Sequence, residues 1–305
     1  MKRFSAHPIT LRQLQYIVAV AEERHFRRAA ERCMVAQPSL SAQIAEAEKV
    51  LKIKIFERSR KGTWPTTAGQ EIIDKARKIL VEVDDLLDAA TCLCDPFHGK
   101  MGIGVIPTIG PYLLPDIDPV LREHYPKLQW LWTENKTEVL LRQLRDGELD
   151  VAIMALEADI GDVPYEILSY DSFVLATSID HPLADSDEPI EMNTLFEERI
   201  LLLEDGHCFR DQAWELCSRA GIEEMSFRAT SLSTLCQMVA GGTGITLLPS
   251  MAIEVENRRG RLHLRPISSN SALRTLILCW RKGAAREATF QDIARTLQQH
   301  MRISL

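Results

Sequence analysis

The chain has 305 residues, 46% of them apolar and 26% charged, a length that calls for two domains, or a small one beside a larger bilobed one, and a composition that excludes disordered, collagen-like and mucin-like chains. No apolar run approaches the ~18 to 20 residues that span a bilayer, and Lys2 and Arg3 lead to Arg12, Gln13 and Gln15 rather than to the apolar segment of a signal peptide, so no membrane partner and a cytoplasmic location are expected. The net charge of −7 hides an uneven distribution: residues 1–65 carry 13 Lys and Arg against 6 Asp and Glu, +7, and the remaining 240 carry −14, which points to a polyanionic partner at the basic end unless its helices are merely solvated.

Leu11, Leu14, Ile17, Val18 and Ala21 recur at helical spacing behind Thr10, a candidate N-cap, and predict a helix over 11–21. Phe26, Ala29, Ala30 and Cys33 form one face of a short second helix over 26–33. A third, opened by Pro38, runs to about Leu51. It turns Leu40, Ile44, Ala47 and Leu51 inward and offers Gln37, Ser39, Ser41 and Gln43 on its outer and N-terminal face. Amides and hydroxyls on the first turn of such a helix are what a helix-turn-helix needs to read base edges in a major groove, with Arg27, Arg28, Arg32, Lys54, Arg58 and Arg60 available for phosphates. A generic helical hairpin shares the pattern.

The strings Phe26-Arg27-Arg28-Ala29-Ala30, Ala36-Gln37-Pro38-Ser39-Leu40-Ser41-Ala42-Gln43-Ile44, Leu51 to Arg58 and Thr67-Ala68-Gly69 closely resemble the LysR-type transcriptional regulators. The resemblance implies a winged helix-turn-helix over residues 1–66 with a wing from Lys54 to Pro65. Its DNA-facing residues would be Arg27, Arg28, Gln37, Pro38, Ser39, Ser41, Gln43, Arg58 and Arg60. Two positions depart from the family pattern: Ala36 stands where Ser is usual, which removes a cap or a DNA contact, and Lys52 where Gly is usual, which adds a favourable cation at a helix end.

From Thr67 to about Ala90, Ile72, Ala76, Ile79, Val83, Leu86 and Ala90 recur at three- and four-residue intervals, the seam of a coiled coil, unless the helix packs into its own domain. A dimer would set two reading heads on one double-stranded DNA and select a pseudo-palindromic site. Residues 91–100 read as a linker, so residues 67–99 form a dimerisation helix and hinge. Cys92 and Cys94 form a C-x-C with no second thiol or histidine pair nearby, so no metal and no cofactor are expected.

Residues 100–305 alternate strand and helix. Met101–Ile106, Leu128–Trp132 and Val151–Met154 read as strands around amphipathic Pro111–His124 and Thr137–Asp146. Phe173–Thr177, Ile200–Leu203, Phe227–Ala229 and Ile245–Leu248 suggest a second lobe, and Leu276–Trp280 a return to the first. Such βαβ units imply an α/β fold with a mostly parallel sheet and a ligand cleft between lobes. The pattern resembles the two-lobed, periplasmic-binding-protein-like effector domain of the same family.

Within the second lobe, Cys208 lies between His207 and Arg210 beside the start of a helix predicted over 209–220, where a positive helix end and nearby cations favour thiolate, the species peroxide oxidises. Cys217 is nine residues on, roughly 13 Å along an intact helix, whereas a disulfide needs Cα atoms within about 7 Å. Linking them demands unwinding, which would make the segment a bistable switch; two unrelated thiols on one helix remain the alternative. The seven cysteines are odd in number and scattered, unlike the framework of a secreted domain. Cys33, Cys236 and Cys279 fall on inward faces and read as core.

Glu204-Asp205-Gly206-His207-Cys208, Arg210-Asp211-Gln212-Ala213, Cys217, Phe227 to Leu232, Gly244 to Pro249, Ile106-Pro107-Thr108 and Gly110 to Pro115 resemble the peroxide-sensing branch of the family. That resemblance implies a redox regulator, not an enzyme, with Cys208 peroxidatic and Cys217 resolving, and Thr108, Thr137, His207, Arg210 and Asp211 forming the hydrogen peroxide pocket. It further implies a dimer of dimers, a nucleoid-associated location, contact with RNA polymerase and reduction by cellular thiol reductants. Ser226 stands where some relatives have His. The alternatives are a family member that binds a small-molecule effector in the cleft and, from another class, a thiol peroxidase.

Overall fold

A computed structural model describes residues 7–59, 62–93, 95–268 and 272–301, with backbone only for Arg58, Ser59, Thr91 and Cys92. The chain divides into two compact units at Ala90/Thr91. Among the described residues no helix is long and apolar enough to cross a membrane.

The first unit opens with α1 (Leu11–Glu23), α2 (Phe26–Arg32) and α3 (Gln37–Leu51), followed by β1 (Phe56–Ser59), β2 (Gly62–Pro65) and α4 (Thr67–Cys92). Thr10 caps α1 as expected, in a reciprocal box in which its hydroxyl accepts from the Gln13 N–H and the Gln13 amide oxygen accepts from the Thr10 N–H. Ile17, Val20, Ala29, Leu40, Ile44 and Ala47 meet in one core with Ile55 and Ile73. Helices α2 and α3 turn inward the faces their spacing predicted, whereas α1 buries Tyr16, Ala19 and Val20 beside Leu14 and Ile17 and leaves Leu11 exposed, a face rotated from the expected one. The antiparallel β1–β2 pair is the wing.

Both departures from the family pattern have structural correlates. Ala36 caps α3 without any side-chain hydrogen bond. Lys52 adopts φ 56°, a left-handed helix end at which glycine pays no steric penalty, so the charge expected to help sits on a strained backbone. Gly69 explains the Thr67-Ala68-Gly69 string: a Cβ there would lie 2.1 Å from the Ile55 carbonyl oxygen, so only glycine lets α4 start against the strand leading into the wing. Along α4, Ile73 and Ala76 are buried, while Ile79, Leu86 and Leu87 stay exposed, Leu86 at 70%. The helix continues two residues beyond Ala90, into the segment read as linker.

The second unit contains β3 (Gly99–Val105), α5 (Gly110–His124), β4 (Leu128–Glu134), α6 (Thr137–Arg145), β5 (Val151–Ala155), β6 (Tyr165–Ser178), β7 (Arg199–Leu203) and α7 (Cys208–Arg219). It continues with β8 (Glu223–Ala229), α8 (Leu232–Ala240), β9 (Thr246–Pro249), α9 (Ile253–Glu256), β10 (Leu262–Pro266), β11 (Leu273–Trp280) and α10 (Glu287–His300). Two cores define two lobes. One gathers β3, β5 and β11 with α5, α6 and α10; the other gathers β7 and β9 with α7 and α8.

The expected mostly parallel sheet is corrected to a mixed one. β3 pairs in parallel with β4 and β5, and β7 with β8, but β6 and β11 run antiparallel to each other and to their other neighbours. The cause is connectivity. β6 pairs with β11 through its first half and with β9 and β10 through its second, so it passes from one lobe into the other as a single strand, and the chain must return in the opposite direction. Cys236 and Cys279 are buried core residues, and Cys33 packs partly buried against the first unit's core.

Candidate functional site: a reading head and a buried thiol between two lobes

In the first unit, Gln37, Pro38, Ser39 and Gln43 are exposed on the N-terminal turns of α3 and Ser41 is half-buried beside them. Arg27 and Arg28 are exposed on α2, paired at 3.1 Å with Glu31 and 2.8 Å with Glu23. These surface pairs are weak enough to be exchanged for phosphates. Arg32 turns instead to Glu22 at 2.6 Å, and Lys54 to Glu48 at 2.7 Å. The backbone of Arg58 lies in β1, while Arg60, at the wing tip, is outside the described residues, as is Cys94.

In the second unit, Cys208 is the first residue of α7 and His207 its N-cap. The thiol is 9% exposed and packs with the first lobe's core, although α7 belongs to the second. It lines a cavity of about 410 Å³ with Thr137, Phe173, Gly206, Asp211 and Gln212. Thr137 begins α6, and its buried hydroxyl has no hydrogen-bond partner at normal distance. Behind the sulfur lies a side chain that did not stand out in the sequence. Arg274, fully buried on β11, donates to Thr108 Oγ1 at 2.9 Å, to the Thr108 carbonyl at 3.0 Å and to Asp171 at 3.0 Å.

These groups act on the thiol in opposite directions. Burial pushes the Cys208 pKa up; the Arg274 charge, the Thr137 hydroxyl and the Phe209 N–H work against it, and Asp211 adds to the rise. Desolvation prevails, so the expected net lowering is corrected: the helix-end N–H does favour the thiolate, but His207 and Arg210 are not the cations that do. His207 is itself held below its usual value by burial and then by the Lys136 charge. Arg210 faces away from the cavity, pairing with Asp205 and Glu224, each at 3.0 Å. The nearby cation is Arg274.

The proposed pocket residues thus divide. Thr137 and Asp211 share the cavity with Cys208; Thr108 stands behind it, held by Arg274; His207 and Arg210 shape the turn before α7. Ser226 is exposed on β8. Cys217 sits near the other end of α7 with no exposed surface, packed in the second lobe's core, and burial pushes its pKa up to about 12. With α7 intact, the two thiols are about 13 Å apart along the helix. Among the described residues no group of three or more His, Cys, Asp or Glu is placed to hold a metal ion.

A winged helix-turn-helix followed by a long helix and a two-lobed α/β domain, with a buried thiol where the two lobes meet, defines a transcription regulator with an effector domain. Residues 11–70 match the bacterial regulatory helix-turn-helix proteins of the lysR family, and residues 95–302 match the LysR substrate binding domain. The chain belongs to the LysR family. It is 42% identical to the hydrogen peroxide-inducible genes activator of Dickeya chrysanthemi, over 97% of each chain. It is also 42% identical to the DNA-binding transcriptional dual regulator OxyR of Escherichia coli, over 96% of each. A solved full-length OxyR variant from Pseudomonas aeruginosa superposes with a TM-score of 0.80 at 34% identity, covering 97% of this chain and 96% of that one.

Proposed function

We propose that the protein is a peroxide-sensing, DNA-binding transcription regulator whose switch is a reversible disulfide between Cys208 and Cys217. Hydrogen peroxide enters the cavity. The Cys208 thiolate attacks one oxygen and the O–O bond breaks; the departing hydroxide takes up the thiol's proton and leaves as water, with Cys208 as sulfenic acid. Cys217 then attacks that sulfur and displaces a second water, so two thiols are oxidised and one peroxide yields two waters. Thr137 and the Arg274–Thr108 pair supply the donors and charge for the first step.

The observation that carries this reading is Cys208 itself: a buried thiol at a helix start between the Thr137 hydroxyl and a buried guanidinium, with a second thiol on the same helix seated in the other core. Gln37, Pro38, Ser39, Ser41 and Gln43 read bases, and Arg27, Arg28, Arg58 and Arg60 hold phosphates. The uncovered Ile79 and Leu86 of α4 support pairing of two copies. Oxidation changes the dimer-of-dimers contacts and the approach of RNA polymerase, and cellular thiols restore the reduced state.

The test is titration of the reduced protein with peroxide, with disulfides mapped by peptide mass spectrometry and promoter binding followed in parallel. Near-stoichiometric linkage of Cys208 to Cys217, lost in Cys208→Ser while DNA binding persists, is the expected result. An undiminished peroxide response in Cys208→Ser refutes the sensing role. The cavity of about 410 Å³ has room for more than peroxide and favours, as a second reading, a small-molecule effector in the cleft; stabilisation against heat by such a ligand and not by peroxide would select it.

A further inference from the structure

We infer that Lys136 is a positioning residue that clamps the turn 204–207, and Cys208 with it, in the reduced arrangement, and so sets the balance between the dithiol and disulfide forms. The inference rests on the disulfide reading given above.

Lys136 precedes α6 in the first lobe, and the turn follows β7 in the second. Its ammonium donates to Glu204 Oε1 at 2.5 Å and to the Asp205 carbonyl at 2.9 Å. Its stem lies over Gly206, which is at φ +90°; a Cβ there would be 3.2 Å from Lys136 Cδ. The same charge, after burial, lowers the His207 pKa, and through its hydrogen bond and charge Lys136 holds the Glu204 carboxyl below the usual range. One side chain therefore acts on all four residues that precede the thiol. The next residue, Thr137, faces the sulfur.

Asp205 anchors the turn to its own lobe, pairing through its carboxylate with Arg210 at 3.0 Å and Arg228 at 2.6 Å. Lys136 ties it to the opposite lobe. To reach Cys217, Cys208 must leave the first lobe's core, and the turn attached to it moves away from Lys136. The clamp exists in the dithiol form and is lost in the disulfide form. A half-exposed ion pair reinforced by a charged hydrogen bond corresponds to about a 3- to 10-fold bias toward the dithiol.

The full-length protein is equilibrated in graded mixtures of reduced and oxidised dithiothreitol, and the Cys208–Cys217 disulfide is quantified by mass spectrometry. Lys136→Gln and Glu204→Gln each shift the equilibrium about 3- to 10-fold toward disulfide. The double variant shifts it no further than Lys136→Gln alone, because Glu204 acts on the turn only through Lys136. The reversed pair Lys136→Glu with Glu204→Lys returns it toward wild type, which a merely structural loss would not do. Amide exchange at residues 205–209 of the reduced protein speeds by a similar factor in Lys136→Gln. If the wild type forms the disulfide but neither the equilibrium nor the exchange responds to Lys136, the clamp is refuted and the switch stands. If the wild type forms no such disulfide in any buffer, the switch reading falls and this inference with it.

Discussion

Replacing Arg274 with Met keeps much of its volume and removes its charge, and the structure separates two consequences. The first is chemical. Arg274 favours the Cys208 thiolate against burial, and an adjacent opposite charge moves a pKa by about 1–3 units. The thiolate fraction, and the rate at which peroxide oxidises Cys208, should then fall about 10- to 1000-fold. The second is structural. Asp171, 6% exposed, loses the guanidinium it meets at 2.9 Å, and orphaning one partner of a buried pair costs about 3–5 kcal/mol. Arg274→Met with Asp171→Asn removes the stranded charge, so it should recover most of the melting temperature and none of the rate. Arg274→Lys keeps the charge without the planar fork and should lie between. Stopped-flow mixing with peroxide, with sulfenic acid trapped chemically, gives the rate, and thermal unfolding the stability. A folded Arg274→Met protein oxidised at the wild-type rate would refute the assignment of Arg274 as the cation that activates the thiol.

Four other outcomes follow from the geometry. Lys52→Gly relieves the left-handed strain at the end of α3, less the entropy glycine adds to the unfolded chain, and should stabilise the first unit by about 0.5–1 kcal/mol in thermal melts. Gly69→Ala drives a Cβ into the Ile55 carbonyl and should cost about 1–3 kcal/mol, with DNA affinity falling as the wing shifts. Burial raises the thiols of Cys217, Cys236 and Cys279 from 9.0 to about 12 each. Their contribution to stability is complete below pH 9, where they are protonated folded or unfolded, and declines between pH 9 and 12 as only the unfolded chain ionises. The loss is about 1.4 kcal/mol per pH unit per thiol, and Cys279→Ala should flatten it by one thiol's share. DNA affinity should fall steeply with salt, and Arg27→Ala or Arg28→Ala should reduce the slope of log affinity against log salt by about one; a slope unchanged by either would remove these arginines from the phosphate contacts.

Local signals carried most of the reading head. Thr10 as a cap, the spacing of Leu40, Ile44 and Ala47, and Pro38 at a helix start are all encoded within a few residues, and each appears where the sequence placed it. Much of the second unit was legible for the same reason. What escaped depends on distance in the chain. Nothing local marks Tyr165 to Leu168 as strand, because that half of β6 is specified by its pairing with β11, more than a hundred residues away. Arg274 is a lone charge within the apolar strand Leu273–Trp280, a signal that could have been weighed, but Thr108 and Asp171 lie far from it in sequence. The spacing of Phe290, Ile293, Ala294 and Leu297 is a local signal for α10, which the expected elements lack. His207 and Arg210 misled because adjacency to Cys208 in sequence is not proximity to its sulfur: at a helix start, successive side chains point in different directions.

In the proposed switch, the two cores explain why oxidation should be reversible. Cys208 belongs to one core and Cys217 to the other, with Phe209, 1% exposed, and Ala213 buried between them on α7. Bringing the sulfurs together disrupts both seats and the helix that spans them. Phe209 alone forfeits about 2 kcal/mol if it is left in water. That cost subtracts from the stability of the disulfide, and a disulfide that forms against such a cost is the kind that thiol reductants open readily. Burial of Cys217 with its pKa near 12 works in the same direction, because the resolving thiol becomes an effective nucleophile only once α7 loosens. In this proposal peroxide at Cys208 acts first, and the helix would convert that local oxidation into a change of packing in both lobes.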